Sequence, residues 1–156
     1  MTQALVVRRF FVLITMLFVS YALAESATVE GRWLTSQSVI DVRDCGGQLC
    51  GVIERLLLPE HIDQSQLLDV KNKDRTLRAR PVLGMNLLMD FGALVSGQTH
   101  YPKGRVYHPD HGRDYKASLT LISPDQLEIE GCVFAFCQRE QWSRLPPCEG
   151  DRCPID

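Results

Sequence analysis

The sequence has no long run of lysine and arginine, no internal repeat and no low-complexity stretch. It also lacks a Gly-x-Ser-x-Gly motif and the Cys-x-x-Cys spacing of redox catalysts. Without a basic run, binding to nucleic acid or to an anionic membrane surface is not expected. Without a nucleophile motif or a strong metal motif, the sequence predicts no enzymatic activity, no catalytic residue, no metal and no cofactor.

Residues 1–24 have the three parts of a cleavable export signal. Arg8-Arg9 is the positive beginning, Phe10–Val19 is an apolar run, and Ala22–Ala24 supplies the small residues of a cleavage site. The run is shorter than the ~20 residues of a spanning helix, which favours cleavage over a retained membrane anchor. A twin-arginine signal is an alternative export route. The sequence therefore predicts a periplasmic or secreted protein that begins at Glu25 and keeps no stable membrane anchor.

Removal of this signal leaves about 132 residues, enough for one domain with its own core. The net charge moves from −2 to about −4, because the signal contains two arginines and no acid. We expect a domain over 25–145 and a short tail over 146–156. The tail begins with two prolines, which favour an extended chain.

A period of two dominates from Thr28 onward and predicts an all-β fold. In the segment 115–121, for example, apolar and polar residues alternate, as in a strand with one buried face. We expect strands at 29–35, 38–44, 49–57, 83–91, 98–102, 104–109, 114–122 and 126–133, with 138–145 as a closing ninth. Short strands joined by tight turns favour an antiparallel barrel or sandwich. The exception is the long polar connection over 58–81, which is expected to carry a short helix around 65–70 or to serve as a lid.

All six cysteines form three pairs of equal spacing, and an even count behind an export signal indicates disulfides. The pairs are Cys45 and Cys50, Cys132 and Cys137, and Cys148 and Cys153. Six cysteines can pair in many ways, so pairing within each couple rests on proximity at hairpin turns. Structural zinc is the alternative, although zinc ligands are usually closer in sequence and an oxidising compartment disfavours thiolates.

Several motifs together resemble the bacterial exported family known as domain of unknown function 2147. They include Gly31-Arg32-Trp33, Cys45-Gly46-Gly47, the series from Gly104 to Tyr115, Gly131-Cys132 and Trp142-Ser143-Arg144. The resemblance runs over nearly the whole chain to Arg144, and it implies a lipocalin-like (calycin) up-and-down barrel of eight to nine strands, usually periplasmic and without an established activity. The chain departs from the family pattern in Cys148 and Cys153, and in His108 and His111.

Gly31, Trp33 and Arg144 resemble the feature that closes one end of lipocalin barrels. Glycine lets the first strand bend sharply, and a guanidinium over an indole would add a cation–π contact of about 0.5–2 kcal/mol. The alternative is that Trp33 stacks on a ligand.

Two histidines, His108 and His111, could ligate a metal with Asp110 or Asp114 as a third ligand. The intervening Pro109-Asp110-His111-Gly112 sequence is better explained as a hairpin turn with Gly112 in the left-handed region. We therefore predict no metal site here.

Six polar or aromatic residues are candidates for ligand binding: Asp69, Asn72, Arg78, Arg80, Tyr107 and Tyr115. Arginine forks at a barrel mouth could hold a carboxylate or phosphate, and tyrosine rings could contact an apolar body. The alternative is a loop bonded to itself, with the arginines paired to acids.

The predicted function is binding of a small amphipathic ligand, such as a fatty acid, inside a periplasmic barrel. The alternative is a cell-envelope structural or partner-binding module whose barrel is filled by its own side chains. The test that separates them is whether a cavity remains around Met85, Leu87, Met89 and Tyr107. Nothing in the sequence predicts an oligomeric state.

The export and disulfide predictions can be checked together on protein isolated from a periplasm. We expect amino-terminal sequencing to begin at Glu25 and thiol labelling under denaturing, non-reducing conditions to find no free thiol. Labelling of two or more thiols would contradict the disulfide prediction.

Overall fold

Eight antiparallel strands follow one another in the computed structural model, which describes residues 27–155. The predicted export signal and its cleavage site lie outside these residues. The strands are β1 (Gly31–Leu34), β2 (Ser38–Asp44), β3 (Leu49–Leu56), β4 (Asn86–Met89), β5 (His100–His108), β6 (Arg113–Ser123), β7 (Gln126–Val133) and β8 (Phe136–Leu145). Each strand pairs with the next, and β8 pairs with β1, so the sheet is a closed barrel. The predicted up-and-down barrel is confirmed.

The barrel has eight strands where nine were counted, because 98–102 and 104–109 belong to one strand. Pro102-Lys103-Gly104 is typical of a turn, but here it forms an irregularity in β5, where the pairing with β6 shifts between Tyr101 and Gly104. At Gly104 a Cβ atom would lie 2.4 Å from the ring of Phe91. Glycine therefore lets an aromatic side chain pack against the bulge.

The long connection between β3 and β4 contains two short 3-10 turns, Gln64–Gln66 and Arg75–Leu77, in place of the helix expected around 65–70. Each turn begins with an aspartate, Asp63 or Asp74, whose carboxylate accepts a hydrogen bond from the backbone two residues later. Within residues 27–155, no helix is long and apolar enough to cross a membrane.

The two ends of the barrel differ, because connections after odd-numbered and even-numbered strands emerge at opposite ends. The connections 35–37, 57–85, 109–112 and 134–135 form one end, called the mouth below. The opposite, closed end holds the remaining connections and Trp33. Between the ends lies a core of inward-facing side chains that includes Ile40, Val42, Ile53, Leu88, Leu119, Leu127 and Trp142.

The closed end is built around Trp33, which is fully buried and donates from Nε1 to the carbonyl of Val29. The guanidinium of Arg144 lies 4.1 Å from the centroid of the Trp33 ring and donates to the carbonyls of Thr28, Glu30 and Pro124. Gly31 has a φ of +129°, and a Cβ atom there would lie 2.6 Å from Arg144 Nη1. The three residues singled out in the sequence thus meet at one place.

A second arginine, Arg32, ties the carboxyl-terminal tail to the barrel. It is buried, forms a two-pronged pair with Glu54 at 2.7 and 2.8 Å, and donates to the carbonyls of Pro146 and Pro154. The tail is closed on itself by Cys148–Cys153, and the other two disulfides are Cys45–Cys50 and Cys132–Cys137. All three couples are paired as predicted, and these disulfides fit an oxidising compartment.

Replacing Arg144 by alanine is expected to lower the free energy of unfolding by about 2 kcal/mol or more, because charge-assisted hydrogen bonds and the indole contact are lost together. Arg144→Lys is the control: it keeps the charge but not the planar fork, so it should recover only part of the loss. Denaturant unfolding measures both. An unchanged midpoint for Arg144→Ala would contradict this role.

Candidate functional site

A buried carboxylate fastens the long loop to the mouth of the barrel. Asp69 is almost fully buried and accepts hydrogen bonds from the Tyr107 hydroxyl at 2.6 Å and from Asn72 Nδ2 at 2.7 Å. Arg80 completes its charge compensation, with Nε and Nη2 at 3.0 and 2.9 Å from Oδ2. Asn72 Nδ2 also lies 2.9 Å from the Tyr107 oxygen. These four residues are called the latch below.

Backbone contacts around the latch hold the loop against the β5–β6 turn. Asp69 N donates to Arg80 O, and Lys73 N donates to Gly112 O. Gly112 has a φ of +63°, and a Cβ atom there would lie 1.8 Å from the carbonyl oxygen of Lys71. Glycine is therefore required at position 112 for two reasons: the left-handed φ angle, and the close approach of the long loop to the turn.

The two arginines expected at the mouth both have partners inside the loop. Arg80 belongs to the latch, and Arg78 Nε donates to the carbonyl of Asn72 at 2.7 Å. Neither appears among the described residues that line the two cavities below. Their contact with a ligand stays a prediction, whereas their role in ordering the loop is visible.

A cavity of about 430 Å³ opens at the mouth between the β1–β2 turn, the β5–β6 turn and the β7–β8 hairpin. Its apolar lining comes from Leu87, Val106, Ile129, Val133, Phe136 and Trp142. Its polar lining includes Ser38, Tyr107, His108, Tyr115, Gln138 and Glu140. A second cavity of about 460 Å³ lies under the long loop and shares Ser38 and Leu87 with the first. The open space thus lies at the mouth: Leu87 and Tyr107 line the first cavity, whereas Met85 and Met89 line neither.

Two nitrogen atoms of residues in this lining are buried without a hydrogen-bond partner among residues 27–155. They are Trp142 Nε1 and His108 Nδ1. The indole nitrogen is only a donor, and the side chain of Trp142 is 2% exposed. Burial, and then the neighbouring His111, lower the pKa of His108, so its ring is neutral at neutral pH. The wall of the cavity thus contains two unpartnered nitrogens, which lie beneath its accessible surface.

The histidine pair forms a stack at the rim of the cavity. The rings of His108 and His111 are parallel within 15°, with centroids 4.0 Å apart. His111 Nδ1 lies 2.7 Å from the hydroxyl of Tyr115, which also accepts from Arg113 Nε at 2.9 Å. Tyr115 is thereby placed at the rim by a chain of polar contacts.

The proposed third metal ligands at this turn have other partners. Asp110 pairs with Lys71 at 3.1 Å, and Asp114 pairs with Arg105. Among residues 27–155, the clusters with three potential metal ligands are Glu54 with Cys148 and Cys153, and Glu130 with Cys132 and Cys137. Their cysteines form disulfides and cannot supply thiolates.

Sequence reasoning found part of this site and missed its centre. It grouped Asp69, Asn72, Arg78 and Arg80 in the loop, and it placed Tyr107 and Tyr115 separately at the barrel mouth. The structure joins three of the loop residues to Tyr107 in the latch. It did not select Trp142 or His108 as cavity residues. The available signal was the period-two pattern of β8, which places Trp142 on the same face as Gln138 and Glu140.

A family model described as an uncharacterized protein conserved in bacteria (DUF2147) matches residues 31–144. The chain belongs to this family. The fold is similar to that of a solved structure described as protein HP1028 from Helicobacter pylori, a member of the lipocalin family. That similarity has a TM-score of 0.63 over 75% of this chain and 82% of that chain, at 19% identity. At this identity the likeness shows the fold.

A curated protein, the pleiotropic regulator PRL2 of Arabidopsis thaliana, is 29% identical over 75 residues. The match spans 47% of this chain and 15% of that protein. Because it covers less than half of this chain and a small part of that protein, it carries no functional argument.

Replacing Tyr107 by phenylalanine tests the latch through its pH dependence. Burial, with a further contribution from the hydrogen bond to Asp69, raises the pKa of Tyr107 from 10.0 to about 12. The stability that this protonated hydroxyl contributes is complete below about pH 10 and is lost as the pH rises toward 12, because the unfolded chain deprotonates first. Tyr107→Phe should be less stable than the unaltered protein at neutral pH, and it should not show the loss of stability that Tyr107 causes between about pH 10 and pH 12.

Urea midpoints measured between pH 8 and pH 12 show this difference, with a Tyr115→Phe variant as the control for a partly exposed tyrosine. Parallel curves for Tyr107→Phe and the unaltered protein would contradict the latch assignment.

Proposed function

We propose that this protein binds a small amphipathic molecule, with an apolar chain and a hydrogen-bond acceptor, in the mouth cavity, and that it does so after export to the periplasm. The observation that carries the proposal is the cavity itself: about 430 Å³, walled by apolar side chains, with unpartnered nitrogens in its lining. Cavities of about 300–1,000 Å³ with mostly apolar walls and a few polar groups are typical of small-molecule sites.

The polar end of the ligand belongs beside Trp142 and His108. A buried donor without a partner costs about 1–3 kcal/mol, and a ligand acceptor that reached the indole nitrogen after a small side-chain movement would recover this. Hydrogen bonding by the ligand would therefore satisfy atoms that the barrel leaves unsatisfied.

An uncharged head group suits this lining better than the acidic head group expected from the sequence. The ring of His108 is neutral, and the carboxylate of Glu140 lies in the same lining, where it would repel an anion. Arg139 also lines the cavity, but its guanidinium is paired with Glu130 and lies near Glu128. Glu140 is held there by Ser36, whose backbone N and hydroxyl lie 3.2 and 3.0 Å from Oε1. Esters, amides and ketones meet the requirement for a neutral acceptor.

The cavity can be blocked at Gly131, which lies in its lining. A Cβ atom there would meet Val106 Cγ1 at 3.4 Å, an ordinary contact. We expect Gly131→Leu to abolish saturable binding of methyl dodecanoate and Gly131→Ala to retain it. Calorimetric or fluorescence titration measures binding, and thermal melting checks that both variants fold. Equal binding by the folded leucine variant would place the ligand elsewhere.

The position of the head group is tested by comparing methyl dodecanoate with dodecane, which has no acceptor. Trp142→Phe should reduce the affinity for the ester by about threefold to tenfold, since a neutral hydrogen bond is worth about 0.5–1.5 kcal/mol. Dodecane controls for the changed shape of the cavity, and its affinity should fall less than that of the ester.

A third probe, dodecanoate, tests the arginine pair. If Arg78 and Arg80 hold an acidic head group, replacing both by glutamine will weaken dodecanoate binding about tenfold while leaving the ester unchanged. If Trp142 and His108 form the head-group site, the double substitution will change the affinities for dodecanoate and for methyl dodecanoate by the same factor.

A further inference from the structure

Exposed apolar side chains are concentrated at the mouth of the barrel. Of the ten large apolar side chains exposed within residues 27–155, eight lie at this end. Five are on the long loop and three on the β7–β8 hairpin: Leu57, Ile62, Leu68, Val70, Leu77, Val133, Phe134 and Phe136. This distribution singles out one face of the molecule for contact with something apolar.

The tip of the β7–β8 hairpin presents two phenylalanines to solvent. Phe134 is 101% exposed and Phe136 is 83% exposed, and Cys132–Cys137 staples the strands just behind them. Phe134 has a φ of +54°, a left-handed conformation that bulky residues rarely adopt and that glycine or asparagine adopts more easily. The requirements of the turn therefore do not explain an aromatic residue at this position.

Cations accompany the apolar residues on the long loop. The segment 71–80 contains five lysines and arginines and one aspartate. Lys71 and Arg80 pair with Asp110 and Asp69. Within residues 27–155, no ion pair is formed by the exposed Lys73, Arg75 or Arg78, and Arg78 bonds a neutral carbonyl.

The expectation that the chain does not bind an anionic membrane surface stays a prediction, and the proposal below departs from it. That expectation rested on overall composition, whereas the cations of the long loop are concentrated in the segment 71–80. The same loop also contains Glu60, Asp63 and Asp69, so its cationic character is confined to that segment.

We propose that the mouth docks on the surface of an anionic lipid bilayer. Phe134 and Phe136 would enter the interface between head groups and acyl chains, and Lys73 and Arg75 would lie near anionic head groups. Exposed aromatic side chains and a cationic segment at the same end of the barrel are complementary to a bilayer surface, which offers both an apolar layer and negative charge. Val133 and Phe136 also line the cavity, so docking would turn the cavity toward the lipid.

Vesicle flotation of the processed protein tests this proposal. We expect binding to vesicles of phosphatidylcholine with phosphatidylglycerol, weaker binding to phosphatidylcholine alone, and weakening by salt. Phe134→Asn should reduce partitioning about tenfold, while its melting temperature stays the same or rises. Lys73→Gln with Arg75→Gln should reduce binding to the anionic vesicles by about fivefold or more and change binding to phosphatidylcholine little.

A matched control removes two exposed apolar side chains from the rest of the barrel. Val95→Ser with Ile122→Ser should bind vesicles like the unaltered protein. Phe134 does not line the cavity, so Phe134→Asn should keep its affinity for methyl dodecanoate. Failure of docking and failure of ligand binding are thus distinguishable.

Two outcomes would overturn the proposal. The first is that the unaltered protein shows no preference for anionic vesicles, or that Phe134→Asn floats with them as well as the unaltered protein does. The other is a dimer in sedimentation velocity that Phe134→Asn dissociates, with no vesicle binding by either form. The mouth would then be an interface between copies of this chain.

Discussion

Closure of the sheet between β1 and β8 is the constraint on which the other features depend. Trp33 is opposite Arg144 in this pairing, so the strand contact and the indole–guanidinium contact form at the same place. Closure removes the unpaired edges that a short eight-stranded sheet would otherwise expose. It also creates an interior, and only with an interior can the inward face of β8 line a cavity.

Tyr107 links the loop to the cavity, since its ring lines the cavity and its hydroxyl bonds Asp69. The loop is therefore not an independent lid. Opening the loop would separate the buried carboxylate of Asp69 from its hydrogen-bonding and charged partners. Leaving a buried charge without its partners is strongly destabilising. A ligand that displaced the ring of Tyr107 would also disturb the loop, because the hydroxyl of the same side chain is bonded to Asp69.

Local patterns predicted the strands, and distant contacts were harder to foresee. Alternation identified β6 and β7 almost to the residue, whereas Pro102 and Gly104 suggested a turn because a bulge uses the same residue types. Asp69 and Arg80 were placed in one group because they lie close in the chain. The hydroxyl that completes the latch is 38 residues away from Asp69, and such a contact follows from barrel geometry alone. The unpartnered Trp142 nitrogen could not be predicted either, since it requires that none of the surrounding strands places a hydrogen-bond acceptor beside it.

Each of the three disulfides joins cysteines separated by five positions in the sequence. Two of them span strand connections, Cys45–Cys50 between β2 and β3 and Cys132–Cys137 between β7 and β8, and the third closes the tail. The partners are neighbours even in an unfolded chain, so each bond can form before the barrel closes. Short loops have the smallest closure entropy, which favours these couples over longer-range pairings. Formation of each native disulfide is therefore a local event that does not depend on bringing distant parts of the chain together.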